Sequence, residues 1–335
     1  MITASPSGRL SQAEDWREHW RRAITDPGEL LAHLGLTELA ARIPADGAGF
    51  RLRVPRGFAA RMRPGDARDP LLLQVLPQLA ELEAVPGFVT DPVGDLAARE
   101  APGLLHKYQG RALLIASGSC AIHCRYCFRR HFPYGEETAA TGQWRQALAH
   151  VAADASIREL ILSGGDPLAL ATPKLEELTR GLADIAHVKR LRIHTRLPVV
   201  LPERIDQALL AWLASLPLEK VLVLHANHAN EFDAAVDRAC ARLREAGVLL
   251  LNQSVLLRGI NDDADALAAL SERLIAAGVL PYYLHQLDPV QGAAHFAVDD
   301  ARARGLVESL RARLPGYLVP RLVREVAGDP AKRPL

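Results

Sequence analysis

Three of the four cysteines in the chain lie close together in a C-x₃-C-x₂-C run. They are Cys120, Cys124 and Cys127, and an apolar run, Ala112 to Ala116, leads directly into the segment. Three thiolates on one short loop can hold an iron–sulfur cluster. A cubane cluster contains four irons, so three cysteine ligands leave one iron free to bind a substrate or cofactor, much as a catalytic zinc ion keeps an open position. The spacing therefore predicts a [4Fe-4S] cluster with one open iron.

Two simpler explanations for the cysteines stay open. A structural zinc ion needs a fourth ligand, which His123 or His131 could supply. A disulfide would leave one thiol unpaired, and a chain this poor in cysteine does not have the pattern of a disulfide-rich domain. We favour the cluster over both. Cys240, alone in a helical stretch, is interpreted as a small buried core residue.

The composition limits the class of protein. The 335 residues and a hydrophobic content of 49% are enough for one large α/β domain with an additional segment. A net charge of +1 gives no reason to expect nucleic acid or an anionic membrane surface as a partner. No apolar stretch approaches the roughly 20 residues of a membrane span, and the N-terminus has no apolar segment typical of a secretion signal. Together with the few cysteines, this predicts a reducing, cytoplasmic location, which a thiolate-bound cluster also requires.

From residue 111 onward, short β-rich runs alternate with amphipathic helical runs. We predict strands over 112–117, 157–163, 189–195, 220–225, 248–256 and 281–287. We predict helices near 141–154, 173–184, 203–214, 230–246, 262–277 and 299–313. Six βα units in succession indicate a parallel sheet, but six are too few to close an eight-stranded barrel. Periodicity alone does not separate an open, partial barrel from a doubly wound sheet.

The chain before residue 106 is predicted to be helical and rich in loops. A capping box opens a helix from Ser11 through about Ile24, and a second short helix follows Asp26. Residues 64–70 read as a loop, and Leu71 to Glu83 as a further helix. No catalytic constellation stands out here, so a lid or scaffold role is expected. The predicted division is residues 1–105, a barrel over 106–316, and a C-terminal segment over 317–335.

Polar clusters close five of the predicted apolar strands. They are Ser163 to Asp166, His194 to Arg196, His225 to Asn230, Asn252-Gln253 and His285 to Asp288. Each cluster alone is typical of a turn or a helix cap. In barrel folds, however, the chemistry lies at the carboxyl ends of the strands. Five clusters at corresponding positions therefore favour a site at that end of the sheet.

The cysteine run, followed by Phe128 and the pair Arg129-Arg130, resembles the radical S-adenosylmethionine (SAM) enzymes. More narrowly, the chain is similar to the lysine 2,3-aminomutase family, from about Asp66 to the C-terminus. Its nearest branch is the short one that makes (R)-β-lysine for elongation factor P. The resemblance implies an α/β fold, a partial (β/α)₆ radical SAM barrel with an N-terminal helical extension and a C-terminal segment.

The resemblance also implies how SAM is bound. Its amino and carboxylate groups would bind the fourth iron, and the reduced cluster would cleave its carbon–sulfur bond to release a 5′-deoxyadenosyl radical. Gly164 and Gly165 would let the backbone approach the cofactor, and Asp166 would accept a hydrogen bond from the SAM ammonium. The simpler alternative for these three residues is a tight βα turn with Asp166 as a helix cap. His225 and Gln253 match positions that line the SAM and cofactor pocket.

A second cofactor, pyridoxal 5′-phosphate (PLP), is implied from the other end of the chain. Lys332 is three residues from the terminus and would ordinarily be a frayed, solvated lysine. In the family, the matching lysine holds PLP as an imine, which supplies the π-system that a radical shift of an amino group needs. Tyr108 matches a tyrosine that contacts PLP. Arg196 is assigned to the phosphate, with a surface ion pair as the alternative.

Three further residues match the substrate site of the family. Arg129 would clamp the substrate carboxylate, and Asp288 and Glu325 would receive the distal ammonium of lysine. The longer aminomutases have Asp where Glu325 stands, so the extra methylene puts the pose of the lysine chain in question. For Asp288, which precedes Pro289, the alternative is an ordinary turn residue.

The resemblance therefore implies a lysine 2,3-aminomutase that converts free L-α-lysine to (R)-β-lysine. A separate lysyl-ligase would attach the product to elongation factor P, and a flavodoxin or ferredoxin would supply electrons. The longer relatives bind zinc through a cysteine where this chain has Asp263, and this chain has no C-terminal cysteine, so we expect no zinc site. Two other functions were considered. The same chemistry on glutamate is disfavoured by like-charge repulsion from the acidic pair, and a non-enzymatic zinc module would contain zinc in place of iron and sulfide.

Overall fold

A computed structural model describes residues 15–137 and 144–335 of the chain. Within these ranges the strands form one ten-stranded sheet in which neighbours in the sheet are also neighbours in the chain. The strands are β1 (Arg99–Ala101), β2 (Leu104–Tyr108), β3 (Arg111–Ser117), β4 (Glu159–Gly164), β5 (Arg190–Thr195), β6 (Glu219–His225), β7 (Leu249–Val255), β8 (Leu280–His285), β9 (Arg321–Arg324) and β10 (Arg333–Pro334). All pairings from β3 to β9 are parallel, and the sheet is extended by antiparallel pairs at both ends.

The strand order decides between the two architectures that periodicity left open. A doubly wound sheet reverses its strand order at a switch point. Here the order is sequential throughout, as in a barrel that winds in one direction. The predicted α/β fold with a partial barrel is therefore confirmed, and the predicted strands each agree with β3 to β8 within two residues.

The helices lie between the strands and in the N-terminal region. They are α1 (Trp16–Arg21), α2 (Pro27–Leu34), α3 (Arg56–Ala59), α4 (Pro70–Leu73), α5 (Tyr134–Glu137), α6 (Trp144–Ala153), α7 (Thr172–Ala183), α8 (Leu197–Val200), α9 (Gln207–Ser215), α10 (Ala234–Glu245), α11 (Ala264–Ala276) and α12 (Asp300–Arg313). Aspartates cap several of them; Asp263, for example, accepts a hydrogen bond from Ala266 N at the start of α11. The residues predicted to open the first helix, 11–14, and the first residues of the helix predicted over 141–154 lie outside the described ranges.

One predicted helix is wrong. The helix expected from Leu71 to Glu83 ends at Leu73, and only a 3₁₀ turn, Leu79–Leu82, follows. Pro77 explains the break because it has no N–H to donate and it disfavours helical geometry at Leu76. Strands β1, β2, β9 and β10 were not predicted, and β2 crosses the boundary predicted between residues 105 and 106.

The N-terminal region packs directly on the barrel. Leu30, Leu31 and Phe58 are fully buried in the same apolar cluster as strand residues such as Leu114 and Leu162. Burial of this kind, at about 25 cal/mol per Å² of apolar surface, holds the region against the sheet. In the described residues, no helix is both long enough and apolar enough to span a membrane.

Candidate active site

A cavity of about 360 Å³ opens at the carboxyl ends of the parallel strands. This volume falls in the range of small-molecule sites. The cavity brings together every site residue that the sequence predicted: Tyr108, Cys120, Cys124, Cys127, Arg129, Gly164, Gly165, Asp166, Arg196, His225, Gln253, Asp288, Glu325 and Lys332.

The two glycines after β4 support the cysteine loop by close backbone contact. Gly164 has a φ of +117°, and a Cβ there would lie 2.5 Å from Ser117 O. A Cβ on Gly165 would lie 2.7 Å from Ser119 O. In return, Gly165 N donates to Ser117 O and Asp166 N donates to Ser119 O. The turn therefore requires glycine so that the loop carrying Cys120 can lie directly on it.

Asp166 is buried, and its carboxylate is bonded to the protein itself. One oxygen accepts from Leu168 N at 3.0 Å, and both accept from Thr195 Oγ1, at 2.7 and 2.9 Å. The second oxygen also accepts from Arg196 N at 2.8 Å and from Leu197 N at 3.2 Å. Burial raises the pKa of Asp166 to about 6 in spite of these bonds. This is the helix-cap alternative, and the bond to the SAM ammonium stays a prediction.

Arg196 lies against the cysteine loop. Its Nη1 donates to Cys124 Sγ at 2.7 Å and to Tyr126 Oη at 2.9 Å, and its Nη2 donates to Gln74 Oε1 at 2.6 Å and to Glu231 Oε2 at 2.9 Å. All four hydrogens of the terminal nitrogens are therefore used. This arrangement speaks against the phosphate contact predicted for Arg196 and makes it a support for the cysteine loop.

A second buried network holds the same loop from the N-terminal region. Arg125, which is fully buried, donates through Nε to both carboxylate oxygens of Glu81 and through its terminal nitrogens to backbone carbonyls of Gly47 and Phe50. Arg130 lies 2.9 Å from Glu81 Oε2. A bidentate guanidinium contact to a buried carboxylate fixes the geometry of both partners. The arginines between and after the cysteines thus anchor the loop.

Two of the three thiols, those of Cys120 and Cys127, lie in an environment that disfavours the bare thiolate. Burial and the neighbouring Cys127 raise the pKa of Cys120 well above its usual value, and burial raises that of Cys127 to about 11. A bound cation reverses this preference because it stabilises the thiolate.

The C-terminal segment is fixed in place and brings Lys332 into the cavity. Strand β10 pairs with β9, with Arg333 opposite Arg324, and Leu335 N donates to Leu322 O at 3.2 Å. Leu335 also packs on the apolar cluster formed by α11, α12 and β9. Because both sides of Lys332 are tied down, its side chain is only 20% exposed, and the expectation of a frayed terminal lysine does not hold.

Five alternating charges cross this side of the cavity in a continuous chain. Lys332 Nζ donates to Glu325 Oε2, and Lys107 Nζ lies 3.0 Å from Glu325 Oε1. Lys107 also lies 2.5 Å from Asp95 Oδ1, and Arg129 Nε donates to Asp95 Oδ2 at 2.6 Å. Burial alone would raise the pKa of Glu325, but the two lysines lower it to about 2.

Three buried polar atoms beside this chain have no hydrogen-bond partner among the described residues: Asp288 Oδ1, His285 Nε2 and His194 Nε2. Burial and the charge of Glu325 raise the pKa of Asp288 to about 7. Burial lowers the pKa of both histidines well below the usual value. Unpaired buried polar atoms are costly, so atoms of this kind that face a cavity indicate a place for a polar ligand.

His225 and Gln253 are neighbours on adjacent strands. Gln253 Nε2 lies 2.8 Å from His225 Nε2. The two residues lie opposite each other in the parallel pairing of β6 with β7. Burial lowers the pKa of His225 to about 3, so the ring is neutral at physiological pH. A neutral imidazole and an amide are groups that can bind an uncharged part of a cofactor.

Comparison with known proteins identifies the family of the chain that forms this cavity. Residues 114–270 match the model of the radical SAM superfamily. The chain is 51% identical to the L-lysine 2,3-aminomutase of Escherichia coli (strain K12), over 96% of this chain and 94% of that protein. The chain belongs to the lysine 2,3-aminomutase family of radical SAM enzymes.

Two other relatives bear the same name. The L-lysine 2,3-aminomutase of Haemophilus influenzae is 46% identical over 96% of both chains. That of Clostridium subterminale is 34% identical over 96% of this chain and 77% of its own length. The alignments therefore extend well beyond the cysteine loop to the strands and to the C-terminal segment.

The residues of this aminomutase-family chain fit the cluster that radical SAM enzymes bind. The three thiols line one cavity, Arg196 donates to one of the sulfurs, and two buried networks fix the loop around them. Within the described ranges, no three His, Cys, Asp or Glu side chains converge as they would on a single metal ion. The cysteines that bind a cubane cluster each bind a different iron, so their sulfurs lie further apart than the ligands of a single metal ion. Cys120, Cys124 and Cys127 are thus the residues that would hold the cluster.

Several residues that complete this aminomutase-family site were missed in the sequence. Lys107 lies in strand β2, and Asp95 caps the 3₁₀ turn Leu96–Ala98 that precedes β1, in the region predicted to be lid or scaffold. Arg111 lines the cavity, stacks over the ring of Tyr108 at 4.5 Å, and has no ion pair among the described residues. The only signal in the sequence was a charged residue within a strand, as at Lys107 and Arg111. For Lys107 this signal could not be used, because strand β2 was not predicted.

Proposed function

We propose that this protein is an L-lysine 2,3-aminomutase that converts L-α-lysine to (R)-β-lysine. The observation that carries the proposal is that Lys332 and the three cysteines line one cavity, although more than 200 residues separate them in the chain. Relatives at 51% and 46% identity bear the name L-lysine 2,3-aminomutase, which supports the same conclusion.

The cavity is polarised in a way that suits lysine. Arg129 lines the cavity, and its Nη2 has no hydrogen-bond partner among the described residues, so it is free to bind a carboxylate. Asp288 and Glu325 line the same cavity, and the Asp95–Lys107 pair lies between Glu325 and Arg129, so a distal ammonium would meet two carboxylates away from that arginine. Glutamate would place a carboxylate against the same pair, and like charges repel.

We assign PLP to Lys332 and Tyr108. When bound, the reduced cluster with SAM supplies a carbon-centred radical, and PLP supplies the π-system through which an amino group can migrate. Lys332 is held against Glu325, and burial and the Glu325 charge keep the Tyr108 hydroxyl protonated by raising its pKa. Since Arg196 is already bonded on both terminal nitrogens, we assign the PLP phosphate to Arg111, which is cationic and has no carboxylate partner in the described part of the chain.

The cellular role follows from the resemblance described above. We propose that the β-lysine is used by a separate lysyl-ligase to modify elongation factor P. A flavodoxin or ferredoxin in a reducing cytoplasm is the proposed electron source, as the resemblance implies, because SAM cleavage requires the reduced form of the cluster.

Product identification tests this function. The anaerobically reconstituted protein is incubated with L-lysine, SAM, PLP and dithionite, and the products are separated by chiral chromatography. We expect (R)-β-lysine, and in a competition with L-glutamate we expect lysine alone to be consumed. Preferential conversion of glutamate would contradict the proposed substrate, and an (S) product would contradict the stereochemistry while leaving the chemistry intact.

A further inference from the structure

One lysine of the cavity, Lys107, links the two acidic residues Asp95 and Glu325. Lys107 Nζ lies 2.5 Å from Asp95 Oδ1 and 3.0 Å from Glu325 Oε1, and it donates to Val93 O at 2.8 Å. The contacts to Val93 O and Glu325 Oε1 are hydrogen bonds, and the contact to Asp95 Oδ1 is an ion pair. Its side chain is 15% exposed, so solvent competes little for these bonds.

Each carboxylate held by Lys107 also holds a residue of the proposed substrate site. Asp95, which is 2% exposed, accepts from Arg129 Nε at 2.6 Å. Glu325 accepts from Lys332 through its other oxygen. Arg129, which would bind the substrate carboxylate, and Glu325, which would bind the distal ammonium, are therefore spaced by the Asp95–Lys107 pair.

We propose that the Asp95–Lys107 pair sets the distance between the two ends of the substrate site and so selects α-amino acids with a distal ammonium by their chain length. The inference rests on the proposed function. Lys107 acts as a positioning residue because it fixes Glu325 and Asp95 without facing the reacting carbons.

Charge balance explains why a lysine is needed at this position. Without the Lys107 ammonium, Asp95 and Glu325 would be two buried carboxylates facing each other, and they would move apart. Glu325 would then shift relative to Arg129. With Lys107 present, Oε1 of Glu325 is occupied and Oε2 accepts from Lys332, so a distal ammonium would meet the unpartnered Asp288 Oδ1 beside the Glu325 carboxylate.

Kinetics with two substrates of different length test the proposal in the reconstituted holoenzyme. Lys107→Met removes the ammonium and keeps an unbranched side chain, and Lys107→Arg keeps the charge. We expect the ratio of kcat/KM for lysine to that for ornithine, which is one methylene shorter, to fall about tenfold in K107M. The loss should appear mainly in KM for lysine, and K107R should restore the ratio to within about threefold.

Two readouts separate positioning from a general loss of structure. Equilibrium dialysis of radiolabelled lysine against the unreduced holoenzyme measures binding without turnover, and we expect about tenfold weaker binding in K107M. The acid side of the pH profile of kcat/KM should move to higher pH in K107M, because the Lys107 cation opposes the rise in the pKa of Asp288. Lys174→Met is the control: Lys174 is 45% exposed and pairs only with Glu177, so the ratio should not change.

The outcomes are distinct for the two proposals. If the wild-type protein does not convert lysine, the proposed function is wrong. If the wild type is active and K107M keeps its lysine-to-ornithine ratio of kcat/KM, the proposed role of Lys107 is wrong. Should K107M lose its iron or fail to fold, Asp95→Asn replaces it, since this change also breaks the pair and keeps the side-chain shape. A D95N protein that retains iron and the wild-type ratio overturns the proposal, and a reduced ratio supports it.

Discussion

The two sides of the cavity differ in how completely one carboxylate on each side is paired. On the cysteine side, Glu231 is fully buried, and it accepts hydrogen bonds from Gln74, Asn227 N, His228 N and Arg196. On the lysine side, Asp288 is partly buried, and its buried Oδ1 has no hydrogen-bond partner among the described residues. The same chemical group is thus satisfied on one side and unsatisfied on the other.

This difference separates scaffold from ligand site. A buried carboxylate whose oxygens are all bonded rigidifies its surroundings, whereas one that lacks a partner raises the free energy of the folded state until a ligand supplies the missing bond. We infer that the cysteine side is organised before any ligand arrives and that the lysine side is completed by substrate. The following changes test the contrast, and the largest expected effect comes first.

Cys124→Ala should abolish activity because it removes one of the three cluster ligands and the acceptor of the Arg196 bond. Iron and acid-labile sulfide analysis should show that the purified variant has lost the cluster. Cys240→Ala is the matched control, since Cys240 is buried in α10 away from the cavity. If C124A kept full iron and sulfide, the ligand assignment would be wrong.

Lys332→Ala should lower kcat by about 10⁴-fold or more, as removal of a covalent catalytic residue does. The measurement is borohydride reduction of the PLP-loaded protein followed by mass spectrometry. We expect the label on Lys332 in the wild type and no stable label in the variant. Lys189→Ala, an exposed lysine that bonds only Ala186 O, should behave as the wild type. A borohydride adduct on the K332A protein would show that another lysine holds PLP.

Glu231→Gln should lower the free energy of unfolding by about 3–5 kcal/mol, because Arg196 is left as an unpaired buried charge. Denaturant unfolding monitored by circular dichroism measures this. Glu203→Gln removes a half-exposed partner 4.0 Å from His19 and should cost less than about 1 kcal/mol. Equal losses in the two variants would mean that the cysteine side is not preorganised as described.

Asp288→Asn should lower kcat/KM for lysine by about 10²-fold with little change in stability, since it removes a charge that has no protein partner. The pH profile gives a second readout. The pKa of Asp288 is raised to about 7 by burial and by Glu325 and Asp95, against Lys332 and Lys107. Since only the ionised form binds an ammonium, wild-type kcat/KM should fall as the pH drops below about 7, and D288N should lack this limb. If kcat/KM of D288N still fell below about pH 7, the pH dependence would have to come from another titrating group.

The sequence predicted the barrel strands well because their patterns are local. Strands β4 and β6 are apolar runs buried on both faces, whereas β5 and β7 alternate buried and more exposed positions. The edge strand β10 was missed because it has only two residues, Arg333 and Pro334, and its pairing depends on tertiary contacts of Leu335. Strand β9, to which it pairs, has only four residues.

The predicted site residues all reached one cavity, but the partners of several could not be read from the chain. Arg196 and Glu231 are 35 residues apart in the chain, and no local sequence pattern joins them; their bond depends on the approach of β5 to the loop after β6. Lys107 is another example, because its neighbours Asp95 and Glu325 are 230 residues apart in the chain.

An omission series measures the central claim most directly, which is that an iron left open by three cysteines works beside Lys332. The anaerobically reconstituted protein is given L-lysine and the complete mixture, and then SAM, dithionite and PLP are each left out in turn. We predict β-lysine in the complete mixture and none when any single component is absent. Turnover without SAM or without reductant, or a protein that never takes up iron under air-free conditions, would contradict the account.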